Sequence, residues 1–509
     1  MLLVAIALLA AAPGTSPASP APTTVAPAAT AVPAANADSK GIPGEIPVTA
    51  RSAEALQLFR EGRFKALNWD CPAASLLLKQ ALLAEPDFAL ALAWLGKCDV
   101  GPDGAREIER GLQLSSSLPV TERMMIEVLA AERRGDDEQI RKLRRQLVDL
   151  APNDWLAQFQ LGVQSQYDYK SQAAILHLNR ALQLNPQLAE AYNYLGFVLA
   201  QQGMTEEGIA AARKFVELKP NEPNAYDSLG EVLLLVGRLD EAEAQFRKAG
   251  EMKAEFWMAW VGVSYARFYR GDFAGGHEAM TVARKTPHAE SEMRALALVD
   301  AWGYLGEGKS AEALAGIDAL EQAGAEKKSS LALAWARFER AEMLLELGRL
   351  GEAQAQVQLS RQSLADAGAG DEQNRVRRSL LVLDSALGVS AQNPAQAARA
   401  AADLAEELRR APSNNDVRSD MHHAAGEAAL AARDPARAVE ALSMCPDTEV
   451  PCRVRLAAAQ ELAGQPRAAE ETRARVLTLD LRDNVHRGED PAALYAHLKL
   501  ARKPRAATH

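Results

Sequence analysis

Residues 189–222 are AEAYNYLGFVLAQQGMTEEGIAAARKFVELKPNE, and residues 223–256 are PNAYDSLGEVLLLVGRLDEAEAQFRKAGEMKAEF. The two stretches align position by position, so that Tyr192 is followed 34 residues later by Tyr226, and Leu195 by Leu229. A fixed period of this length is typical of an array built from one repeated supersecondary unit.

Each unit has the pattern of a helical hairpin. Apolar residues recur at helical spacing from Tyr192 through Leu195, and again in the second half of the unit up to Phe215. Gly203 stands between the two halves, where a tight turn favours glycine, and Pro220 ends the second helix. One hairpin cannot bury both of its faces, so neighbouring hairpins must stack. The pattern therefore predicts an all-α solenoid.

The repeat resembles the tetratricopeptide repeat (TPR). The resemblance implies a right-handed α-solenoid, with seven repeats over residues 50–290, degenerate TPR-like hairpins over 291–481 and a C-terminal capping helix and tail over 482–509. Ala254 stands where the family pattern has its last proline. The residues that match the family pattern are Tyr226, Leu229, Gly230, Leu233, Ala242, Phe246 and Ala249.

The N-terminus predicts export. Residues 1–12 form an apolar run that fits the h-region of a signal peptide and is too short to span a bilayer, although no Lys or Arg precedes it. Residues 13–49 are rich in Pro, Ala and Thr, which predicts a disordered linker. We expect a bacterial protein in the periplasm or secreted, and a cytoplasmic one if the h-region is not a functional signal. The cleavage site and the true start codon stay open.

Composition excludes several function classes. The net charge of −10 argues against general binding to nucleic acid, and no apolar run is long enough for an integral membrane span. The histidines form no pair with metal-ligand spacing, so neither a metal nor a cofactor is predicted. Oligomeric state stays open.

One motif favours an alternative function, the binding of a nucleotide. Gly303 to Ser310 (GYLGEGKS) matches the phosphate-binding loop, in which Gly308, Lys309 and Ser310 would contact phosphate and magnesium. Such a loop needs a buried strand before it, whereas the flanking residues predict two helices with Gly308 as the turn between them. We favour the turn, and a nucleotide-binding switch or ATPase remains the alternative.

Four cysteines allow two disulfides in an exported chain. Cys71 begins a second helix and Cys98 ends the following first helix, and stacked helices would bring these ends together. Cys445 and Cys452 flank a short turn between two helices. We expect both pairs to be disulfides, with reduced and buried thiols as the alternative.

The resemblance also implies a binding groove lined by the first helices of the hairpins. Phe197, Tyr265 and Phe268 are the expected anchors for a peptide or protein segment, while Asp227 and Glu231 would select the partner's charge. Alternatively, the rings pack into neighbouring repeats or against a C-terminal tail. The expected groove residues are Phe159, Val163, Tyr167, Asn193, Phe197, Asp227, Glu231, Val261, Tyr265, Phe268 and Tyr269.

The expected function is a non-catalytic protein-protein interaction scaffold. A second alternative, besides the nucleotide switch, is the TPR sensory half of a bacterial regulator. The sequence does not identify the partner or the pathway.

Overall fold

The structure is a computed structural model that describes residues 45–68, 70–99, 101–168, 170–286, 290–410, 414–445, 449–483 and 495. The predicted export segment, the linker up to residue 44 and the predicted capping helix apart from Tyr495 lie outside these ranges. Within them every regular element is helical, which confirms the all-α fold class. The α-helices are α1 (Ala53–Leu67), α2 (Cys71–Ala84), α3 (Ala89–Cys98), α4 (Pro102–Leu114), α5 (Val120–Arg134), α6 (Asp137–Leu150), α7 (Trp155–Tyr167), α8 (Ser171–Leu184), α9 (Ala189–Gln201), α10 (Thr205–Leu218), α11 (Pro223–Leu235), α12 (Leu239–Met252), α13 (Trp257–Arg270), α14 (Phe273–Ala283), α15 (Glu290–Glu307), α16 (Ser310–Glu326), α17 (Ser330–Glu346), α18 (Leu350–Ala365), α19 (Asp371–Ser390), α20 (Pro394–Arg410), α21 (Asn415–Ala431), α22 (Pro435–Ser443), α23 (Val450–Leu462) and α24 (Pro466–Asp483).

The helices form successive hairpins, in which odd-numbered helices come first and even-numbered helices second. The hairpin of α11 and α12 illustrates why the two pack closely. Gly237 has a φ of +76° in the turn, which glycine adopts without strain because it has no Cβ. A Cβ at Gly230 on α11 would come within 2.6 Å of the ring of Phe246 on α12. The small residue of the first helix therefore makes room for a buried ring of the second.

The chain divides into two compact units between Val198 and Leu199, within α9. In the N-terminal unit, α3 is buried from Ala89 to Gly96 because it contacts α2, α4 and α5. Its residues are apolar on every side, as expected for a helix enclosed by others.

In the C-terminal unit, Trp302 on α15, Ile317 on α16 and Met343 on α17 belong to one buried apolar cluster. A second cluster joins α17, α18 and α19 around Phe338 and Leu380. The last helix, α24, packs on α23 and also contacts α11, which lies more than two hundred residues earlier in the chain. None of the helices in the described ranges combines the length and apolar character that a bilayer-crossing segment needs.

Candidate functional site on the first helices

The predicted groove residues of the N-terminal unit lie on α7 and α9. Phe159 and Phe197 are each 7% exposed, so neighbouring side chains already cover most of each ring. Val163, Tyr167 and Asn193 are half-buried. The anchor role predicted for Phe197 is therefore wrong, because its ring is already almost fully buried. The three half-buried residues keep surface that a partner can reach.

An aromatic cluster connects these two helices. The ring of Tyr194 lies 5.8 Å from that of Phe159 and 6.5 Å from that of Tyr167, both in edge-to-face geometry. Burial raises the pKa of Tyr194 well above its ordinary value, and its hydrogen bond with Tyr167 adds to the effect. Sequence reasoning missed Tyr194 because it considered only fixed positions of each repeat, and this ring stands one residue after such a position.

Two side-chain amides at groove positions keep unpaired carbonyl oxygens. Oε1 of Gln166 on α7 and Oδ1 of Asn193 on α9 are buried, and among the described residues no donor reaches either atom. Buried polar atoms are normally hydrogen-bonded, and leaving one unpaired costs about 1–3 kcal/mol. Both oxygens lie beneath the solvent-accessible surface, so a bound segment can pair with them only after these side chains rotate. Gln166 occupies a position that the resemblance assigns to the groove, yet the sequence-based selection omitted it.

A charged network borders the same helices. The Arg144 guanidinium donates to Glu132 at 2.5 Å and to Gln164 on α7 at 2.6 Å. Burial alone would raise the pKa of Glu132, but the charges of Lys97 and Arg144 bring it below its ordinary value. Glu132 is therefore ionised at neutral pH and holds Arg144 in place beside α7.

An extended stretch, the N-terminal strap (residues 45–52), is bound by its own unit. It has no regular secondary structure before α1, and its backbone N–H groups donate to carboxylates that lie about one repeat apart. This corrects the predicted disordered linker at its end, since residues 45–49 are held in place. The pairs are Ile46 with Asp154 at 2.7 Å, Thr49 with Glu122, and Arg51 and Ser52 with Glu85 at 2.8 and 3.0 Å.

The carboxylates that hold the N-terminal strap are almost fully buried. Glu85, Glu122 and Asp154 are 6%, 0% and 1% exposed. Burial raises the pKa of Glu122 and of Asp154, while the N–H groups of the strap oppose that rise. Asp154 also caps α7, because its second oxygen accepts from the Ala157 N–H at 2.6 Å. The N-terminal unit thus binds an extended backbone by its N–H groups, and the buried side chain of Ile46 and the ion pair of Glu45 with Arg63 add side-chain contacts.

In the C-terminal unit, most predicted groove residues are interior. Asp227 and Glu231 on α11 are 4% and 8% exposed, and Val261 and Tyr265 on α13 are 1% and 0% exposed. Only Tyr269 is half-buried, and its ring lies 5.9 Å from that of Tyr265. The predicted anchor role of Tyr265 and the predicted charge selection at an open surface are therefore wrong. Helix α24 contacts α11, so the chain itself covers part of that helix.

Phe268, the third predicted anchor, fills a socket between helices and is fully buried. A Cβ at Gly276 on α14 would lie 2.3 Å from its ring, and one at Gly303 on α15 would lie 2.6 Å from it. The imidazole of His277 stands edge-on at 5.1 Å. The anchor role is wrong for Phe268 because two glycines let its ring enter the core.

The same helices carry a polar cluster that sequence reasoning missed. His277 Nδ1 lies 2.5 Å from Asp300 Oδ1, and its ring stacks on Tyr304 with centroids 3.7 Å apart. Arg284 donates to the other Asp300 oxygen at 2.7 Å. The cluster links α14 to α15. No sequence motif identifies it, because its members come from different helices at irregular spacing.

The segment that resembles a phosphate loop does not form one. Gly303 belongs to α15, Gly308 is the turn residue with a φ of +96°, and Ser310 begins α16. The N–H groups of Gly308 and Lys309 already donate to the Tyr304 carbonyl at 3.1 and 2.9 Å. The Lys309 ammonium pairs with Glu307 at 2.8 Å. A helix precedes the motif where a phosphate loop needs a strand, so the turn interpretation accounts for the geometry.

All four cysteines are in disulfides. Cys71 is joined to Cys98, which connects α2 to α3, and Cys445 is joined to Cys452, which closes the turn between α22 and α23. Across the described ranges, no three His, Cys, Asp or Glu side chains lie close enough together to hold a metal ion.

Comparison with protein families matches the centre of the repeat array. Residues 170–203 match a model described as TPR repeat, and residues 189–222 match one described as tetratricopeptide repeat. These matches cover α8, α9 and α10. No curated protein matches the chain.

Solved structures with similar folds include TPR proteins. A tetratricopeptide repeat protein from Parabacteroides merdae ATCC 43184 is 14% identical, covering 53% of this chain and 93% of its own, with a TM-score of 0.34. MamA from Desulfovibrio magneticus RS-1 is 18% identical, covering 32% of this chain and 92% of its own, with a TM-score of 0.30. The thermophilic TPR protein TTC0263 of Thermus thermophilus is 22% identical, covering 42% of this chain and 98% of its own, with a TM-score of 0.26. At these TM-scores the similarities carry no argument about the site.

Proposed function

Since the chain is a tetratricopeptide repeat protein, we propose that it is a non-catalytic scaffold whose N-terminal unit binds an extended segment of a partner protein on α7 and α9. The observation that carries the proposal is that four residues at groove positions of α7 and α9, Val163, Gln166, Tyr167 and Asn193, are only half-buried and keep surface that a partner can contact. An extended segment presents backbone N–H groups, and the amide oxygens of Gln166 and Asn193, which have no partner among the described residues, accept them when these side chains turn towards the segment.

Affinity and orientation would come from neighbouring side chains. Val163 and the ring of Tyr167 are half-buried, so a partner's apolar side chain can cover what remains exposed of them. The N-terminal strap supports this mode of binding, because the same unit already holds an extended backbone through its N–H groups. Recognition by backbone hydrogen bonds tolerates different sequences, and the apolar contacts then set the preference among them.

Selection from a displayed library of random linear peptides tests the proposal. Peptides enriched on the wild-type chain are measured again on Asn193→Ala and Gln166→Ala. Because each variant removes one hydrogen bond worth about 1 kcal/mol, we expect a loss of affinity of roughly tenfold or somewhat less for each. The matched control is Leu176→Ala on α8, where the side chain is 65% exposed, and it should leave affinity unchanged.

Two outcomes would end the proposal for this face. One is a set of selected peptides that bind both amide variants as tightly as they bind the wild type. The other is the absence of any enriched peptide when the library yields binders on an established peptide-binding control.

We also propose that the protein works in an exported, oxidising compartment. The disulfides Cys71–Cys98 and Cys445–Cys452 support this, because disulfides persist outside the reducing cytosol. Alkylation of free thiols in cells, followed by fractionation, tests it. We expect a chain outside the cytoplasm that resists alkylation until reduced, whereas a fully alkylated cytoplasmic chain would contradict the proposal.

A further inference from the structure

The N-terminal strap is in step with the repeats that hold it. Its N–H groups at positions 46, 49 and 52 are three residues apart, and each donates to one buried carboxylate near the start of α3, α5 or α7. Three residues of extended chain span about 10 Å, which is about the distance between packed helices. One N–H group in three therefore meets a carboxylate. The pairs are Ile46 with Asp154, Thr49 with Glu122 and Ser52 with Glu85.

The strap lies on the N-terminal unit in the way that a bound peptide does. Within the described ranges, no donor reaches the carbonyl oxygens of residues 45–50, so the backbone hydrogen bonds of the strap come from its N–H groups alone. Pro47, Thr49 and Arg51 are exposed. The strap belongs to no hairpin, and another extended segment can therefore take its place without disturbing a contact between helices.

Two side chains of the strap show which segments the site selects. Arg63 on α1 is 4% exposed, and its guanidinium lies 5.4 and 5.8 Å from the ring centroids of Phe59 and Trp155. A buried cation is costly unless an anion pairs with it. Glu45 of the strap supplies that anion, and the next residue, Ile46, is buried as well. The site therefore favours an acidic residue followed by an aliphatic one.

We propose that this row of carboxylates, together with Arg63, is a second peptide-binding site, which the strap fills in this structure. Its ligand is an extended segment of a partner protein in which an acidic residue is followed directly by an aliphatic one, with no proline at the three donating positions. The strap meets this requirement, because Pro47 stands between donating positions. A partner segment of the same chemistry binds by displacing the strap. This goes beyond the proposed function, because the site uses neither Gln166 nor Asn193.

Displacement is tested with a fluorescein-labelled peptide of residues 45–52 (EIPVTARS), which is titrated with full chains and followed by fluorescence anisotropy. Ile46→Asp places a charge at a buried position and should release the strap, so we expect this variant to bind the peptide at least tenfold more tightly than the wild type. Glu45→Arg, which sets a second cation against Arg63, should have the same effect. Pro47→Ala, at an exposed position, is the matched control and should resemble the wild type. Equal affinity for the wild type and both strap variants, or binding to none of them, would overturn the proposal.

Modified peptides and one receptor variant test the contacts, all in the Ile46→Asp chain. Methylation of the backbone nitrogen at the Thr49 position of the peptide removes a donor and should weaken binding at least tenfold. The matched control is methylation at the Ala50 position, whose N–H has no partner among the described residues. Asp154→Asn keeps an oxygen that caps α7 but turns an NH₂ group towards the ligand, and it should weaken binding similarly.

Unchanged affinity in either test would overturn the proposal. A peptide that instead loses affinity with Asn193→Ala lies on the face of α7 and α9, and that outcome would also overturn it. Circular dichroism of each variant verifies the fold.

Discussion

The close packing of Phe268 against Gly303 predicts that Gly303→Ala destabilises the wild type but stabilises a variant that lacks the Phe268 ring. In the native structure, a methyl group at Gly303 would lie 2.6, 3.0 and 3.1 Å from three atoms of the Phe268 ring, closer than carbon atoms can pack. We therefore consider Gly303→Ala in two backgrounds, the wild type and Phe268→Ala. The first keeps the ring that the methyl group meets, and the second removes it.

The magnitudes follow from packing and helix propensity. Overpacking a rigid, fully buried ring costs about 1–3 kcal/mol, while alanine in place of glycine inside a helix gains about 1 kcal/mol. Gly303→Ala should therefore lower the free energy of unfolding by about 1 kcal/mol in the wild type. Phe268→Ala alone should lower it by about 3–5 kcal/mol. In that background Gly303→Ala should instead raise it by about 1–2 kcal/mol, since the new methyl group is buried in the cavity.

The assay is a double-mutant cycle measured by urea denaturation with circular dichroism. The coupling between the two substitutions should be about 2–3 kcal/mol. Gly351→Ala on α18 is the control, because a Cβ there meets nothing within 4 Å, and it should not destabilise the chain. If Gly303→Ala has the same effect in both backgrounds, the socket is not what requires glycine at this position, and our explanation for the burial of Phe268 fails.

Three further predictions concern stability. Replacing Cys71 and Cys98 by serine should cost about 3–4 kcal/mol, since the bridge closes a loop with a sequence separation of 27; an unchanged melting temperature of the double variant would contradict this. Burial alone would raise the pKa of Glu427, but Arg455 and His423 lower it from 4.5 to about 2, so Glu427 and these partners contribute stability above pH 4.5 that is lost as the pH falls towards 2. Arg455→Gln should remove most of that part of the pH dependence, which is on the order of 3 kcal/mol, in unfolding measured across this range, and an unaltered profile would refute the role of Arg455. Asp154→Ala should cost about 1–2 kcal/mol through the lost cap of α7 and expose the N-terminal strap to proteases, whereas an uncleaved strap would show that the other carboxylates suffice to hold it.

The repeats could be predicted because their signals are local. Gly203, Gly237 and Gly271 mark turns by their spacing, and all three have positive φ in the structure, at 79°, 76° and 84°. Small residues at recurring positions indicate a close approach of the two helices of a hairpin, and a Cβ at Gly230 would indeed meet Phe246. Periodicity fixes which residues face a neighbour within one or two hairpins, and the all-α fold follows from that alone.

The candidate site could be predicted only in part. A position in the repeat determines which face of a helix a residue occupies, but not whether the folded chain leaves that residue exposed. Tyr265 and Phe268 stand at groove positions and are nevertheless fully buried. For Phe268 the cause is local but lies on two other helices, at Gly276 and Gly303. Helix α11 is also contacted by α24, which lies more than two hundred residues later in the chain. Contacts between distant segments leave no periodic signal in a single sequence.

The N-terminal strap was missed for a different reason. Its binding uses backbone N–H groups, which every residue except proline possesses, and its side-chain contacts, the buried Ile46 and the ion pair of Glu45 with Arg63, follow no repeat spacing. The carboxylates that accept these hydrogen bonds could not be identified from the sequence either, since Glu85, Glu122 and Asp154 resemble ordinary charged residues near helix ends. What distinguishes them is burial, which only the packed repeats create.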